Sequence, residues 1–394
     1  MLWTPLRWAV LVSAVLPFLY YLAAIYCAWR FFKNRDENPA DRAPAAPPVS
    51  ILKPVRGLDR EAYENFASFC RQAHPRYEIL FGVADDQDPA IPTIREVIRD
   101  FPNVPVRLVI GSEEFGPNDK VNRLVRLARE ARFDLLVISD SDIRVDPRYL
   151  ASVVSPLRDP HVGAVTCLYR GLAEPRLWQK LETITLTSSF LTGVLVAREM
   201  EGVKFTLGAT TAIARQRLSE IGGFEALADF ASDDFELGKR VASRGYRVEL
   251  SPYTVETVFR SYTAREFYGQ QMRWAIGLRN SRPGGYFGLL VTQGLLWSLA
   301  AAAASHSLPI AAGYLSAYLA LRLGMGWTVG VWGLRDQTLR KNLWLVPLSD
   351  AFGFLIWLVS FGQSHINWRG REFYVRKGRL VPRPSNVAES KTQQ

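Results

Sequence analysis

Acidic residues gather at three points of this chain, and each cluster has the type and spacing to do chemistry. Asp140-Ser141-Asp142 sets two carboxylates two residues apart, directly after the apolar run Leu135–Ile138. Where a strand breaks into a loop, two such groups can turn toward one hard cation. Oxygen ligands of this kind suit Mg²⁺ or Mn²⁺, ions that also bind phosphate oxygens. A nucleoside diphosphate is a fitting partner, because it binds through the metal and leaves as an anion the metal stabilises. A D-x-D alone equally describes a surface turn; its place after a buried-looking strand favours the metal reading. Asp233-Asp234 opens a helix-like segment, Phe235–Ser243. Acids there cap a helix, and a carboxylate there can also take the proton of an attacking hydroxyl. Asp85-Asp86-Gln87-Asp88-Pro89 follows a third apolar run, Ile79–Val83. A fourth feature is basic and aromatic: Gln270-x-x-Arg273-Trp274. On a helix these three share a face, offering an amide, a planar fork for phosphate and a stacking surface. The same stretch also reads as a membrane-surface helix with an interfacial Trp.

These groups need elements to hold them. Val49–Leu52, Ile79–Val83, Val106–Ile110 and Leu135–Ile138 are short, apolar and β-prone, and between them lie the amphipathic stretches Glu61–Gln72, Ile91–Arg99 and Lys120–Ala131. Such alternation predicts an α/β fold, a mostly parallel sheet with flanking helices, whose ligand crevice lies at the carboxyl ends of the strands. The acids stand at those ends. No GxGxxG follows the first strand and no GxxxxGK[ST] occurs, so the dinucleotide and P-loop readings lose their main support.

The chain has 394 residues, 48% of them hydrophobic, and the apolar residues pile up at its two ends. Trp8–Trp29 is an uncharged run flanked by Arg7 and Arg30, long enough to span and too long for the core of a cleaved signal. Gly285–Ala304, Pro309–Trp332 and Leu343–Gly362 are further candidates, the last two carrying Arg322 and Asp350 inside. An ionisable group in a span faces protein or a water-filled cavity. Asp350 is expected to pair with Arg322; the alternative is contact with an acceptor headgroup. Arg30, Lys33 and Arg35 follow the first span, which predicts a cytosolic middle domain; if the source is bacterial, the membrane is the inner or plasma membrane. The basic tail conflicts with this. Four crossings would put Arg369, Arg371, Arg376, Lys377 and Arg379 on the far side, unless the last segment does not cross. The expected organisation is an anchor over 1–30, a Pro-rich linker over 31–48, and a catalytic domain over 49–280. About three transmembrane helices follow over 285–363, then a basic and finally polar tail over 364–394. Leu186–Ala197 is too short to span and reads as an interfacial segment lining an acceptor entrance, or as buried core.

The net charge of +10 suits anionic lipid or nucleotide phosphates, while no Lys/Arg run or motif points to nucleic acid. Cys27, Cys70 and Cys167, like the four histidines, are scattered without zinc-site spacing and read as reduced thiols or core residues.

Taken in order, the D…DxD…DD…QxxRW pattern resembles membrane-integrated family 2-type glycosyltransferases with the GT-A fold. The chain is more closely similar to the ceramide glucosyltransferase family, over nearly its whole length. The likeness includes Ser50-Ile51-Leu52-Lys53-Pro54, Asp85–Pro89 with Ala90-Ile91, Phe101-Pro102-Asn103-Val104, Asp140–Val145, Arg244-Gly245-Tyr246 and Ile366-Asn367-Trp368-Arg369. The resemblance implies inverting transfer from a UDP-sugar, glucose favoured, to the hydroxyl of a ceramide-like membrane lipid on the cytosolic face. It implies Asp234 as catalytic base. The UDP-sugar would meet Asp88, with Asp85 as an alternative uridine contact, and Lys120, Asp140, Asp233, Gln270, Arg273 and Trp274. Asp140 and Asp142 would hold the metal. Animal ceramide enzymes have glycine where this chain has Asp142, so two acids here should bind metal more firmly. Bacterial hopanoid-modifying transferases, which use UDP-N-acetylhexosamine, are similar over the same region and supply the alternative acceptor. A processive polysaccharide synthase needs more spans than these, and an inactive scaffold should have lost an acid or Arg273.

Overall fold

A computed structural model describes residues 3–33, 47–172, 176–259, 263–368 and 370–383. Its centre follows from the alternation of apolar residues along short strands. In β1 (Val49–Pro54), Val49 and Ile51 pack to one side of the sheet, together with Ile79 and Phe81 of β2 (Tyr77–Val83). Leu52 packs to the other, with Leu80 of β2 and Leu136 and Ile138 of β4 (Leu135–Ser139). With period-2 side chains, two apolar faces need two helical layers. α3 (Ala62–Cys70), α4 (Ile91–Asp100) and α6 (Tyr149–Val154) cover the first face. α5 (Asp119–Glu130), α9 (Arg215–Glu220) and α10 (Asp233–Ser243) cover the second.

The remaining strands are β3 (Val106–Ile110), β5 (Ile143–Arg144), β6 (Val162–Gly171), β7 (Thr210–Ala214) and β8 (Arg247–Thr257). The order across the sheet is β3-β2-β1-β4-β7-β6-β8-β5. From β3 to β4 every pairing is parallel, as the βα alternation predicts. β7 then runs antiparallel to both β4 and β6, so the second half is mixed. Acids at the two ends of the sheet behave differently. Glu78, at the amino end of β2 and 1% exposed, accepts from Ser50 Oγ (2.7 Å), the Arg132 N–H (2.7 Å) and Arg107 Nη2 (3.0 Å). It is a fully satisfied structural charge. The acids at the carboxyl ends are the ones that gather.

α1 (Trp3–Ser13) and α2 (Leu16–Phe32) form one apolar segment, Thr4–Phe32, whose 29 residues exceed what a ~30 Å hydrocarbon layer requires. Pro17, in the first turn of α2, lacks the N–H that would continue the α1 ladder. After β6 come α7 (Leu177–Thr185) and α8 (Leu191–Glu201), joined by the π-helical turn Leu186–Phe190. Leu186 and Leu191 are 0% exposed and belong to the main core, while Ser189 and Phe190 between them are exposed, so Leu186–Ala197 is largely core with one exposed aromatic.

α11 (Ala264–Ser281) starts at a capping box of Thr263 and Glu266, then α12 (Pro283–Gly288) and α13 (Gly294–Ser305) follow. The segments Pro283–Thr292 and Gly294–Ser305 are bent by 49° where they meet. α14 (Leu308–Gly326) runs on through Trp327–Gly333, and α15 (Gln337–Lys341) leads to α16 (Val346–Ser360). By length and composition three helices among the described residues can cross a membrane, or up to four if the bent pair counts as one. The N-terminal helix joins the later ones: Tyr21 OH accepts from the Gly294 N–H (3.1 Å) and the Phe32 ring meets Trp332 edge-on. Arg322 and Asp350 pair as expected, through Nε (2.9 Å) and Nη2 (2.7 Å), and Tyr318 OH donates to Asp350 (2.8 Å).

The tail forms a three-stranded antiparallel sheet of β9 (His365–Trp368), β10 (Arg371–Arg376) and β11 (Arg379–Pro382). Its buried Ile366, Phe373, Val375 and Leu380 pack on Met272 and Ile276 of α11, on the side of the catalytic sheet. α16 fits this placement. Its first turn joins Leu345 and Val346 to Leu181 and Ile184 of α7, and its last carbonyl, Ser360 O, accepts from Arg279 of α11. The two ends of α16 thus pack on α7 and α11, and by length and composition Leu343–Ser360 is itself one of the three candidate spans. The linker over 31–48 falls largely outside the described residues, as do Arg369 and the polar terminus.

Candidate active site at the carboxyl ends of the strands

β4 ends at Ser139, and the next residue is Asp140. Three features fix the loop that follows. Lys53, on β1 and fully buried, donates from Nζ to the Asp140 carbonyl (2.8 Å) and lies 3.6 Å from the centroid of the Phe69 ring. Ser141 Oγ donates to Asp59 Oδ2 (2.5 Å). The Asp142 carbonyl accepts from the Val258 N–H (3.1 Å), tying the loop to the end of β8. Burial, opposed by Asp142 and then Asp140, brings the Lys53 ammonium down to about 7.

Lys120 reaches in from the first turn of α5. Its Nζ is 2.7 Å from Asp140 Oδ1 and 3.7 Å from Asp233 Oδ2. Burial alone would lower this ammonium, but Asp140, Asp233 and Asp234 together hold it above its ordinary value. Asn118, the N-cap of α5, accepts from the Lys120 and Val121 N–H groups and donates to Phe230 O (2.9 Å) and Asp233 Oδ1 (3.2 Å). The capping residue of one helix therefore locates the first residue of another.

Asp233 and Asp234 open α10, where free N–H groups favour negative charge. Asp234 Oδ1 accepts from the Phe235 N–H (2.8 Å), and its carbonyl accepts from Thr206 Oγ1 (2.7 Å). Gly238, one turn on, lies so close to the Phe205–Thr206 backbone that a Cβ there would overlap it. Only glycine permits this contact, which fixes the start of the helix. Burial, then Asp233, raise the Asp234 carboxyl to about 6, with Lys120 opposing them. Gly208, just before β7, keeps the centre open: a Cβ there would stand 3.0 Å from Asp234 Oδ2 and 3.6 Å from Asp140 Oδ2. The two carboxylates thus converge over a bare backbone.

On α11, Arg273 Nη2 donates to Gln270 Oε1 (3.1 Å), three residues away as the motif requires. Trp274 is half-buried and meets Phe259 edge-on. Tyr169, on β6, lies among these groups. Burial raises its phenol, Asp234, Asp140 and Asp142 add to the shift, and Arg273 opposes it.

Asp140, Asp233, Asp234 and Lys120 are therefore brought together, and Asp142 flanks them on the same loop. Asp85 and Asp88 stand apart, at the end of β2, which is separated from β4 by β1. Asp88 is spent on its own loop, accepting from the Gly57 N–H (2.9 Å) and the Ala90 N–H (2.9 Å). Asp85 is exposed and accepts from the Gln87 N–H (2.9 Å). Lys53, Asn118, Tyr169 and Gly208 were not singled out from sequence. A lysine inside an apolar strand was the visible signal for Lys53; nothing local distinguishes Tyr169 or Gly208.

Among the described residues no three His, Cys, Asp or Glu side chains group as a metal site. Asp140 and Asp142 still fit a Mg²⁺-like ion, which takes one or two carboxylates and completes its shell with phosphate oxygens and water. Lys120 Nζ now occupies one side of the Asp140 carboxylate, 2.7 Å from Oδ1, so it stands where a cation's charge would fall.

Comparison with known proteins places the whole chain in a family. The sequence profile described as "Glycosyl transferase family 21" matches residues 8–381. "Ceramide glucosyltransferase 1" of Caenorhabditis elegans is 26% identical over 262 residues, covering 66% of this chain and 55% of the worm protein. The "Ceramide glucosyltransferase" of Gibberella zeae is 33% identical over 151 residues, 35% of this chain and 29% of the fungal protein. The chain thus matches about half the length of the worm relative, and less of the fungal one. Among solved structures, a mannosyltransferase from Pyrobaculum calidifontis, in complex with GDP-Man and Mn2+, superposes with a TM-score of 0.50 at 20% identity. The match covers 89% of this chain and 99% of that one, a likeness of fold.

Proposed function

The chain belongs to glycosyl transferase family 21, and on that premise we propose that it transfers a sugar, glucose favoured, from a UDP-sugar to the hydroxyl of a ceramide-like membrane lipid. The observation that carries the reading is the convergence of Asp140, Lys120, Asp233 and Asp234 at the carboxyl ends of the strands. The named relatives are ceramide enzymes; nothing in them favours a hopanoid acceptor.

Transfer with inversion needs one base and a stabilised leaving group. Asp234 is suited to the first role: it is ionised at neutral pH, and its raised pKa makes it a better proton acceptor than an ordinary aspartate. It takes the proton from the lipid hydroxyl as oxygen attacks the anomeric carbon. The bond from that carbon to the diphosphate oxygen breaks on the opposite face. Asp140 and Asp142 would hold a divalent cation, Mg²⁺ or Mn²⁺, which when bound neutralises charge on the departing diphosphate. Arg273, oriented by Gln270, supplies a fixed guanidinium to the same phosphates, and Trp274 closes the site on the membrane side. Lys120 pairs with Asp140 and Asp233 and stands ready for the nucleotide. Asp85 and Asp88, at the end of β2 beyond β1, would meet the uridine, Asp88 while held by the Gly57 and Ala90 N–H groups.

The first helix, the bent pair α12–α13 and α14 cross the bilayer, while α16 lies along the surface on the cytosolic side, with catalytic domain and tail on that same side. This arrangement meets the positive-inside bias that four crossings would violate. Purified protein in detergent, given UDP-glucose and a short-chain ceramide, should release UDP only while divalent metal is present. The lipid product should carry the inverted, β-configured sugar. Release that survives chelation, or a retained α-linkage, would refute the mechanism.

A further inference from the structure

The tail sheet touches the candidate site at three separate points. The Trp368 ring at the end of β9 faces the Arg273 guanidinium, 5.9 Å from its centroid. The hairpin before β11 pairs antiparallel with the residues that lead into Asp233: the Ala231 N–H donates to Gly378 O (2.9 Å) and the Leu380 N–H to Asp229 O (2.7 Å). Arg379 pairs with Asp229 (3.1 Å) and lies over the Phe230 ring. Third, Arg371 on β10 pairs with Asp119 (2.8 Å), the residue before Lys120, while Arg56 holds the other oxygen of that carboxylate (2.5 Å).

Neither simple packing nor membrane anchoring requires this pattern. A small three-stranded sheet needs a partner to be stable, and α11 already supplies one through Met272 and Ile276. The three contacts add something different. They fall on the phosphate-facing arginine, on the turn that carries the base, and on the neighbour of the lysine between the acids.

We propose that the C-terminal sheet is a component of the catalytic centre, in which Trp368 is a positioning residue that holds the Arg273 guanidinium toward the donor diphosphate. The proposal rests on the reading of the site as a UDP-sugar centre. A flat aromatic face suits a guanidinium, whose plane it can hold while leaving the edge N–H groups for phosphate. Gln270 fixes one edge of Arg273, and Trp368 fixes its face. The chain beyond the last apolar helix thereby becomes necessary for donor binding.

The test uses the full-length protein in detergent, with UDP as the probe for binding, read alongside donor KM and kcat. Trp368→Leu keeps apolar bulk but loses the aromatic face; it should weaken UDP binding by ~5–20-fold. Trp368→Phe should recover most of that loss. The deciding comparison is a cycle with Arg273→Ala: if Trp368 acts through Arg273, the double variant binds UDP no worse than Arg273→Ala alone. Losses that multiply, or equal losses in Trp368→Leu and Trp368→Phe, would overturn the proposal and leave the sheet a brace. Should Trp368→Leu fail to fold, Trp368→Met, which also lacks the aromatic face, takes its place in the same cycle with Arg273→Ala. Failure of the native protein to bind UDP would instead overturn the underlying reading of the site.

Discussion

Replacing Asp234 by Asn tests the base directly. The amide keeps the shape of the side chain and its contact with the Phe235 N–H, but it cannot accept a proton. General-base catalysis contributes ~10²–10⁴ in rate, which corresponds to ~2.7–5.4 kcal/mol of barrier. The account therefore expects kcat to fall by that factor while UDP affinity stays within about threefold of native. The structure adds a pH signature. A carboxyl raised to about 6 is ~96% ionised at pH 7.4 and ~9% ionised at pH 5. The active form is the deprotonated one, so kcat/KM for the donor should be flat above neutrality and drop ~10-fold between pH 7.4 and 5. The Asn variant should lack that acid limb. Initial rates in detergent, at fixed saturating metal and from pH 5 to 8, check both parts. Near-native turnover in the variant would refute the assignment, as would an acid limb that persists in its residual activity.

Three further outcomes follow from the geometry. Asp142→Ala should raise the Mg²⁺ or Mn²⁺ concentration needed for half-maximal activity, by about tenfold for one lost carboxylate; an unchanged metal titration would remove Asp142 from the metal site. Arg322→Met leaves Asp350 buried without its guanidinium and should cost about 3–5 kcal/mol of stability, seen as a lower melting temperature in detergent. Adding Asp350→Leu should restore much of it, whereas a double variant as unstable as the single would argue against the pair. Lys377→Cys should be labelled by a membrane-impermeant thiol reagent from the same side of sealed vesicles as Asp85→Cys; labelling from opposite sides would contradict the surface placement of α16.

Much of the fold is legible in the sequence, for specific reasons. The strands β1 to β4 and the helices between them announce themselves, because two periods, 2 and 3.6, alternate cleanly over residues 49–139. The D-x-D falls where β4 runs out, and the partnership of Gln270 with Arg273 is a matter of helical spacing. What escaped sequence reading depends on long-range packing. Tyr169 comes to the acids only because β6 lies beyond β7 in the sheet, an order that no local pattern reveals. Gly208 matters through what its missing side chain leaves open. The apolar run Leu186–Ala197 was ambiguous because hydrophobicity does not distinguish a protein core from a lipid surface. α16 carries a similar ambiguity: its composition suits a span, yet Arg279 meets its last carbonyl and Leu181 its first turn. The tail reads as charge in the sequence, and what holds it to the domain is an apolar seam of Ile366, Phe373, Val375 and Leu380 on α11.

The central claim is transfer of a sugar from a UDP donor to a lipid hydroxyl. It is tested most directly by a donor-by-acceptor panel on purified protein, with the lipid products read by mass spectrometry. The account predicts a new glycolipid from UDP-glucose and a ceramide-type acceptor, dependent on divalent metal and absent in Asp234→Asn. A product found only with a hopanoid polyol, or a polymer made without lipid acceptor, would contradict it.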